Sequence, residues 1–305
     1  MSTTHAAAAA RRRRNSEWGD VGKGLFFLSP WMFGYFVFTL TPILMTVYFS
    51  LSEYSVLEPP VYVGMQNYRD LMRDKWFGNA LLNTAQYAAM ALPGAMAVSL
   101  GLALLLNQPI RGQAAYRTVI FLPSLVPVTA SAMIWLWLFN TKLGLINFGL
   151  DKIGLPAVGW LTNPSVALPA LAFMSLWGVG HTVVIYLAGL QDVPKELYEA
   201  AEIDGATGLR RLWNVTIPMI SPVIFFNLIM AIIGVFRVFE MPYIMTNGGP
   251  ARATQVIAMY VYENSFLYVR MGYASAMALI QLLIVLALTG IAFWSSRRWV
   301  HYQGK

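Results

Sequence analysis

Along the chain, long apolar runs alternate with short polar breaks. Six of the runs are long enough to cross about 30 Å of hydrocarbon at roughly 1.5 Å per helical residue. They cover 25–51, 80–106, 119–139, 166–190, 219–241 and 273–294. The first far exceeds the roughly 7–15 residues of a signal-peptide core and no small-residue cleavage site follows it, so it is expected to remain as a helix. The pattern predicts an all-α membrane protein with six transmembrane helices. Residues 1–24 read as a disordered basic cytoplasmic tail, because Ala6 to Ala10 and Arg11 to Arg14 lack the apolar content to fold. Residues 25–79 read as the first span with its outer loop. Residues 80–295 read as a core of five spans containing a long inner connection at 191–218, and 296–305 as a second cytoplasmic tail.

Composition narrows the function. Of 305 residues, 57% are hydrophobic and 11% charged, against about 25% charged in a soluble domain, which excludes an ordinary water-soluble enzyme. The absence of cysteine removes disulfides, thiolate zinc sites, iron–sulfur clusters and cysteine nucleophiles, and with His5, His181 and His301 the only histidines, no metal site is expected. The net charge of +7 sits partly in Arg11 to Arg14, ahead of the first span, which suits a cytoplasmic flank rather than a nucleic-acid surface. With the N-terminus inside, the inner segments hold 13 of the 21 Lys and Arg and the outer ones 8, which favours both termini in the cytoplasm. The outer loops near 52–79, 140–165 and 242–272 hold no long polar domain, and no internal repeat of the kind found in many secondary transporters is visible.

The inner connection carries the most information. Pro194 suits the first turn of a helix, and Leu197, Ala200 and Ala201 then share a face, with Glu199 and Glu202 beside it. Gly205 supplies a turn, after which Leu209, Leu212 and Trp213 repeat the spacing until Pro218 opens the next span. Two readings are open. One is an amphipathic hairpin resting on lipid headgroups. The other is a docking element, since two small alanines admit another backbone and the carboxylates suit a basic partner.

The run Glu199-Ala200-Ala201, three residues, Gly205, nine residues, then Val215-Thr216-Ile217-Pro218 resembles the EAA loop of permease subunits in binding-protein-dependent ABC importers. It departs only in Val215 and Ile217, where Ile and Leu are usual. Leu187-Ala188-Gly189-Leu190-Gln191-Asp192-Val193-Pro194-Lys195-Glu196-Leu197 and the segment from Phe236 through Glu240 to Pro250 are similar to the carbohydrate-uptake branch. So are Pro42 and Val63-Gly64-Met65-Gln66-Asn67-Tyr68. The resemblance covers roughly 25–295. Within the branch the chain resembles the first of two permeases, similar to the larger permease of the maltose transporter without its extra N-terminal helices.

This resemblance implies the type I importer permease fold, in the plasma membrane of a bacterium or archaeon. It also implies a heterodimer with a second permease that the first span wraps, two cytoplasmic ATP-binding subunits and an extracytoplasmic solute-binding protein. No cofactor is expected in this chain: it contains no G-x-x-x-x-G-K-[ST] loop, so ATP and its Mg would belong to the partners. In the family the EAA loop seats in a groove on the ATPase, a role that falls here on Glu199, Ala200, Ala201, Asp204 and Gly205.

For the translocation path, ionisable groups at membrane depth are the first suspects. Arg237 and Glu240 stand three apart on the fifth span, positioned either to pair, to snorkel at the outer interface, or to meet a substrate. Ser175, Trp177, His181 and Thr182 on the fourth span add hydroxyls and an aromatic face of the kind sugars require, although Trp is also a belt residue and a lone His in a span is often simply hydrogen-bonded. Asn247-Gly248-Gly249-Pro250 reads as a tight turn at the outer end of the fifth span. The expected substrate is a neutral sugar or oligosaccharide, with glycerol phosphate the alternative. Arg237 favours an anion and Glu240 opposes one. A stand-alone secondary transporter or channel would want more ionisable groups inside the spans, and an intramembrane enzyme would want a catalytic set that the spans lack.

Overall fold

The computed structural model describes residues 23–301. The first helix, α1 (Lys23–Ser50), widens by one residue per turn at Phe36–Leu40, where Thr41 donates to the Phe36 carbonyl just ahead of Pro42. Of the expected tail 1–24, Lys23 and Gly24 begin α1 and the rest lies outside the described residues. A short antiparallel pair follows, β1 (Ser52–Glu53) with β2 (Val61–Tyr62), then α2 (Gln66–Arg73). The Gly-Met-Gln-Asn-Tyr run acquires a physical reason here. Asn67 Nδ2 donates to the carbonyls of Ser50 and Ser52, both at 2.9 Å, and the Tyr68 hydroxyl donates to Ser50 Oγ at 2.8 Å, so α2 closes the C-terminal end of α1.

Helix α3 (Lys75–Leu106) crosses without a break and begins five residues earlier than the apolar run, because the Asp74 carboxylate caps it by accepting from the Trp76 N–H at 2.8 Å. The next three spans are bent. Helix α4 (Gln113–Leu125) meets α5 (Val128–Leu138) at 97°, a break the apolar pattern of 119–139 conceals. The cause is Pro127, which has no N–H to donate and forces Val126 into an extended conformation (ψ 128°). After α6 (Leu145–Lys152), α7 (Pro164–Gly178) meets α8 (Gly180–Gln191) at 51°. The inner hairpin is α9 (Lys195–Ile203) and α10 (Gly208–Met219), and α10 turns by 68° into α11 (Ser221–Phe236). The chain closes with α12 (Glu240–Thr246), α13 (Ile257–Tyr262) and α14 (Met271–Ser296), against which α1 packs. Three straight helices and three bent pairs give the six spans.

What is buried follows from the solvent. Lipid tails are as apolar as leucine, so apolar area alone does not bring helices together and close packing must do so. The buried stripes are accordingly rich in small residues, among them Ala80, Ala91, Ala103, Ala132, Ala167 and Ala276, whereas Leu105, Phe173, Phe226, Leu283 and Ile291 face outward. The last described residues pack back on the N-terminal end of α11: His301 N–H donates to Ser221 Oγ at 2.8 Å and Trp299 contacts Phe225 edge-on.

Candidate functional site

The α4–α5 and α7–α8 breaks and the joint between α11 and α12 fall around one place and leave a cavity of about 520 Å³ between them. Ser124 comes from the α4–α5 break, and Ser175, Trp177 and Gly178 from the end of α7. Arg237, Val238, Phe239 and Glu240 come from the α11–α12 joint, with Tyr87 on α3 and Ser131 on α5 completing the polar lining. The joint exists because Pro242 cannot donate back into a continuous helix and Phe239 adopts a non-helical conformation (φ −137°). Gln281 on α14 supports it, its Nε2 donating to the Phe236 carbonyl, the end of α11, at 2.6 Å.

Arg237 and Glu240 therefore do not stand on one helical face, and they do not form an ion pair. The ion pair among the described residues joins Arg211 and Glu202 at 3.7 Å, in the inner hairpin. Both Arg237 and Glu240 are exposed to the cavity. Trp177 is steadied by Trp135, whose ring lies 6.3 Å away and nearly perpendicular, and Trp135 in turn packs on Phe139 and Phe173. The hydroxyls of Ser124 and Ser175 each donate to a carbonyl of their own helix, to Phe121 and Ala172, both at 2.6 Å. Their oxygen lone pairs remain as acceptors. The cavity thus offers a guanidinium fork, a carboxylate, hydroxyl acceptors and an indole face, a set suited to a ligand with many hydroxyls.

Of the six residues expected on the path, Ser175, Trp177, Arg237 and Glu240 line this cavity, whereas His181 and Thr182 do not. The break at Val179 turns α8 away, and the His181 ring packs on Phe121, centroids 5.0 Å apart. Sequence reasoning missed Tyr87, Ser124 and Ser131. Pro123 and Pro127, the fifth and ninth residues of the 119–139 run, were the available signal of a break there. No group of three or more His, Cys, Asp or Glu side chains capable of holding a metal occurs among the described residues.

Beyond the cavity, Asn247 and Gly248 take left-handed conformations (φ 47° and 78°) that end α12 in a tight turn. Thr254 ties this turn down, its hydroxyl 2.6 Å from that of Thr246 and 2.7 Å from the Gly249 carbonyl. Asn83 on α3 donates to the carbonyls of Arg252 and Gln255. Asp74 anchors a second contact at this end of the bundle, its Oδ2 accepting from the hydroxyls of Tyr260 and Tyr273, each at 2.7 Å.

At the opposite end, α9 ends in a Schellman motif. The Gly205 N–H donates to the Glu202 carbonyl at 3.0 Å and the Ala206 N–H to Ala201 at 2.9 Å, with Gly205 left-handed at φ 73°. Pro194 sits one residue before the first helical position, with an extended ψ of 132°. The Arg211–Glu202 pair and a 3.1 Å contact between the Tyr198 and Thr216 hydroxyls fix α9 against α10. Glu199, Ala200, Asp204 and Gly205 are exposed and Ala201 is half-buried. Ile203 (87% exposed) and Leu209 (72%) project from the tip with nothing packed on them in this chain.

Residues 94–301 match the model of the binding-protein-dependent transport system inner membrane component, and the chain belongs to that family. It is an ABC importer permease, a membrane subunit without catalytic machinery of its own. It is 36% identical over 287 residues to the probable ABC transporter permease protein YesP of Bacillus subtilis, covering 92% of this chain and 93% of that one. It is 33% identical to the sulfoquinovosyl glycerol transport system permease protein SmoG of Agrobacterium fabrum, covering 84% and 83%. It is 34% identical to the sn-glycerol-3-phosphate transport system permease protein UgpA of Yersinia pestis, covering 79% and 82%. The fold matches a chain of the bacterial alginate ABC transporter solved in complex with an alginate pentasaccharide-bound periplasmic protein, with a TM-score of 0.81, 23% identity and coverage of 92% and 97%. This is the type I importer permease fold.

Proposed function

We propose that the chain forms, with a second permease, the translocation path for a neutral sugar or oligosaccharide. In this reading the cavity at the three helix breaks is the ligand's passage, and residues 191–218 couple it to two cytoplasmic ATP-binding subunits. The observation that carries the reading is the cavity itself, where hydroxyl, indole, guanidinium and carboxylate groups from three backbone breaks converge inside an otherwise apolar bundle. Polar groups at membrane depth are expensive and mark pathways. Both termini lie on the side of the ATP-binding subunits, following the Lys and Arg bias. Glu199, Ala200, Ala201, Asp204 and Gly205 form the seat, and exposed Ile203 and Leu209 provide apolar area for a protein groove to cover. Closure of the ATP-binding pair would move this hairpin as a unit, because the ion pair and the Schellman turn brace it.

A second substrate reading is glycerol phosphate, favoured by one observation: Arg237 is not neutralised by Glu240 and presents a free fork to the cavity. Both are tested by assembling the chain in lipid with its second permease, ATP-binding subunits and binding protein and measuring ATP hydrolysis against a panel of sugars and glycerol phosphates. Stimulation by a neutral sugar that requires the binding protein is the expected result. Stimulation by glycerol phosphate alone favours the second reading, and failure to associate with any ATP-binding subunit overturns both.

A further inference from the structure

A second cleft opens between α4 and α8 on the side of the inner hairpin. The two helices touch at Gly180, where a Cβ would meet the Ile120 carbonyl oxygen and the Phe121 Cα, both at 2.9 Å. Below that crossing they splay around a cavity of about 220 Å³. Its lining is apolar, with Ile120, Val183, Val184 and Leu187, except for Arg117 on α4 and Gln191 at the end of α8. Arg117 Nε is buried and has no hydrogen-bond acceptor among the described residues, and Arg117 forms no ion pair among them. A buried guanidinium N–H left unmatched is expensive, so a ligand that satisfies it gains what the chain does not supply.

We propose that this cleft binds an anionic phospholipid of the inner leaflet, its phosphodiester held by Arg117 and Gln191 and an acyl chain lying along α4 and α8. Charge and lining select that occupant. A guanidinium fork matches phosphate oxygens, and basic pockets between spans near the cytoplasmic face suit anionic headgroups. A sugar would need several hydroxyl-matching groups, and this cleft has only one besides the arginine. Its rim is continuous with outward-facing apolar residues, Tyr116, Val119 and Val184 among them, as a lipid tail requires. Because Gln191 leads directly into the hairpin, lipid bound here would brace α8 where the proposed coupling element leaves it.

The test uses the full complex in phosphatidylcholine nanodiscs containing phosphatidylglycerol, followed by transfer to detergent and native mass spectrometry of retained lipid. The wild type is expected to keep phosphatidylglycerol and Arg117→Gln to keep roughly tenfold less, the scale of one charge-assisted contact. Arg111→Gln, at an exposed position, should behave as wild type. Inorganic phosphate should not displace the retained lipid. Should Arg117→Gln fail to assemble, a benzophenone side chain at Val184 in an otherwise native chain is expected to cross-link to phosphatidylglycerol. Equal retention by Arg117→Gln and wild type, displacement by inorganic phosphate, or cross-linking to a polypeptide in place of lipid would each overturn the proposal.

Discussion

The inner hairpin and the cavity are built by opposite means. The hydrogen bonds and the ion pair that shape the hairpin join residues within 18 of one another: Gly205 to Glu202, Ala206 to Ala201, Arg211 to Glu202, and Tyr198 to Thr216. The cavity is held by contacts across the chain, with Gln281 on the Phe236 carbonyl and Trp135 on Trp177. The first kind can be damaged at one residue, and the sharpest place is Gly205. No atom lies within 4 Å of where a Cβ would stand, so its requirement is the left-handed backbone alone. A side chain there costs about 1–2 kcal/mol, and more when β-branched. Gly205→Val should therefore reduce ligand-stimulated uptake by about tenfold or more while the protein still inserts, and Gly205→Asn, which tolerates this conformation, should retain most of it. Uptake and ATP hydrolysis measured together on both variants check this. Equal loss in the two would place the requirement in contact with a partner rather than in the turn.

The cavity should be damaged at a distance. Gln281 lines no part of it, yet removing its amide leaves the Phe236 carbonyl at the α11–α12 joint without a donor. Gln281→Leu is expected to lower stability by about 1–3 kcal/mol. It should also weaken ligand stimulation several-fold by letting the joint that carries Arg237 and Glu240 shift. Thermal unfolding and the half-maximal ligand concentration of the assembled transporter report the two effects. A stability loss with unchanged ligand response would show that the joint keeps its geometry without this bond.

The same contrast explains what could be read in advance. Six apolar runs, the hairpin and the Asn247 turn were legible because each rests on spacing within about a dozen residues. The bends were not: the hydropathy of 119–139 runs on across Pro127, which can mark a break without giving its 97° angle. His181 and Thr182 share the fourth span with Ser175 and Trp177 but lie past the break at Val179 and do not line the cavity, a separation that composition alone does not reveal. Tyr87, on an unbroken helix, reaches the cavity only because three other helices stop there.

The smallest expected effect lies in the outer contact at Asp74, which joins the start of α3 to α13 and α14. Burial pushes the Asp74 carboxyl up, but the hydrogen bonds from the Tyr260 and Tyr273 hydroxyls and the Trp76 and Phe77 N–H groups outweigh it and hold its pKa below the ordinary 3.8. Burial first, and then Asp74 itself, push the Tyr260 hydroxyl up to about 12, so it remains a donor at any physiological pH. The signs follow from linkage. A lowered carboxyl contributes stability that is present above pH 3.8 and lost as pH falls through the depressed folded value. A raised tyrosine contributes stability that is present below pH 10 and lost as pH rises towards about 12. The wild type should therefore hold a level melting temperature between roughly pH 4 and pH 10 as far as this cluster is concerned, and drop at the acid edge. Asp74→Asn should melt lower than wild type in the plateau and lose that part of the acid drop, since its amide cannot titrate. Parallel melting curves for the two proteins, offset by a constant amount down to the acid limit, would show that the carboxylate is not what ties α3 to the outer helices.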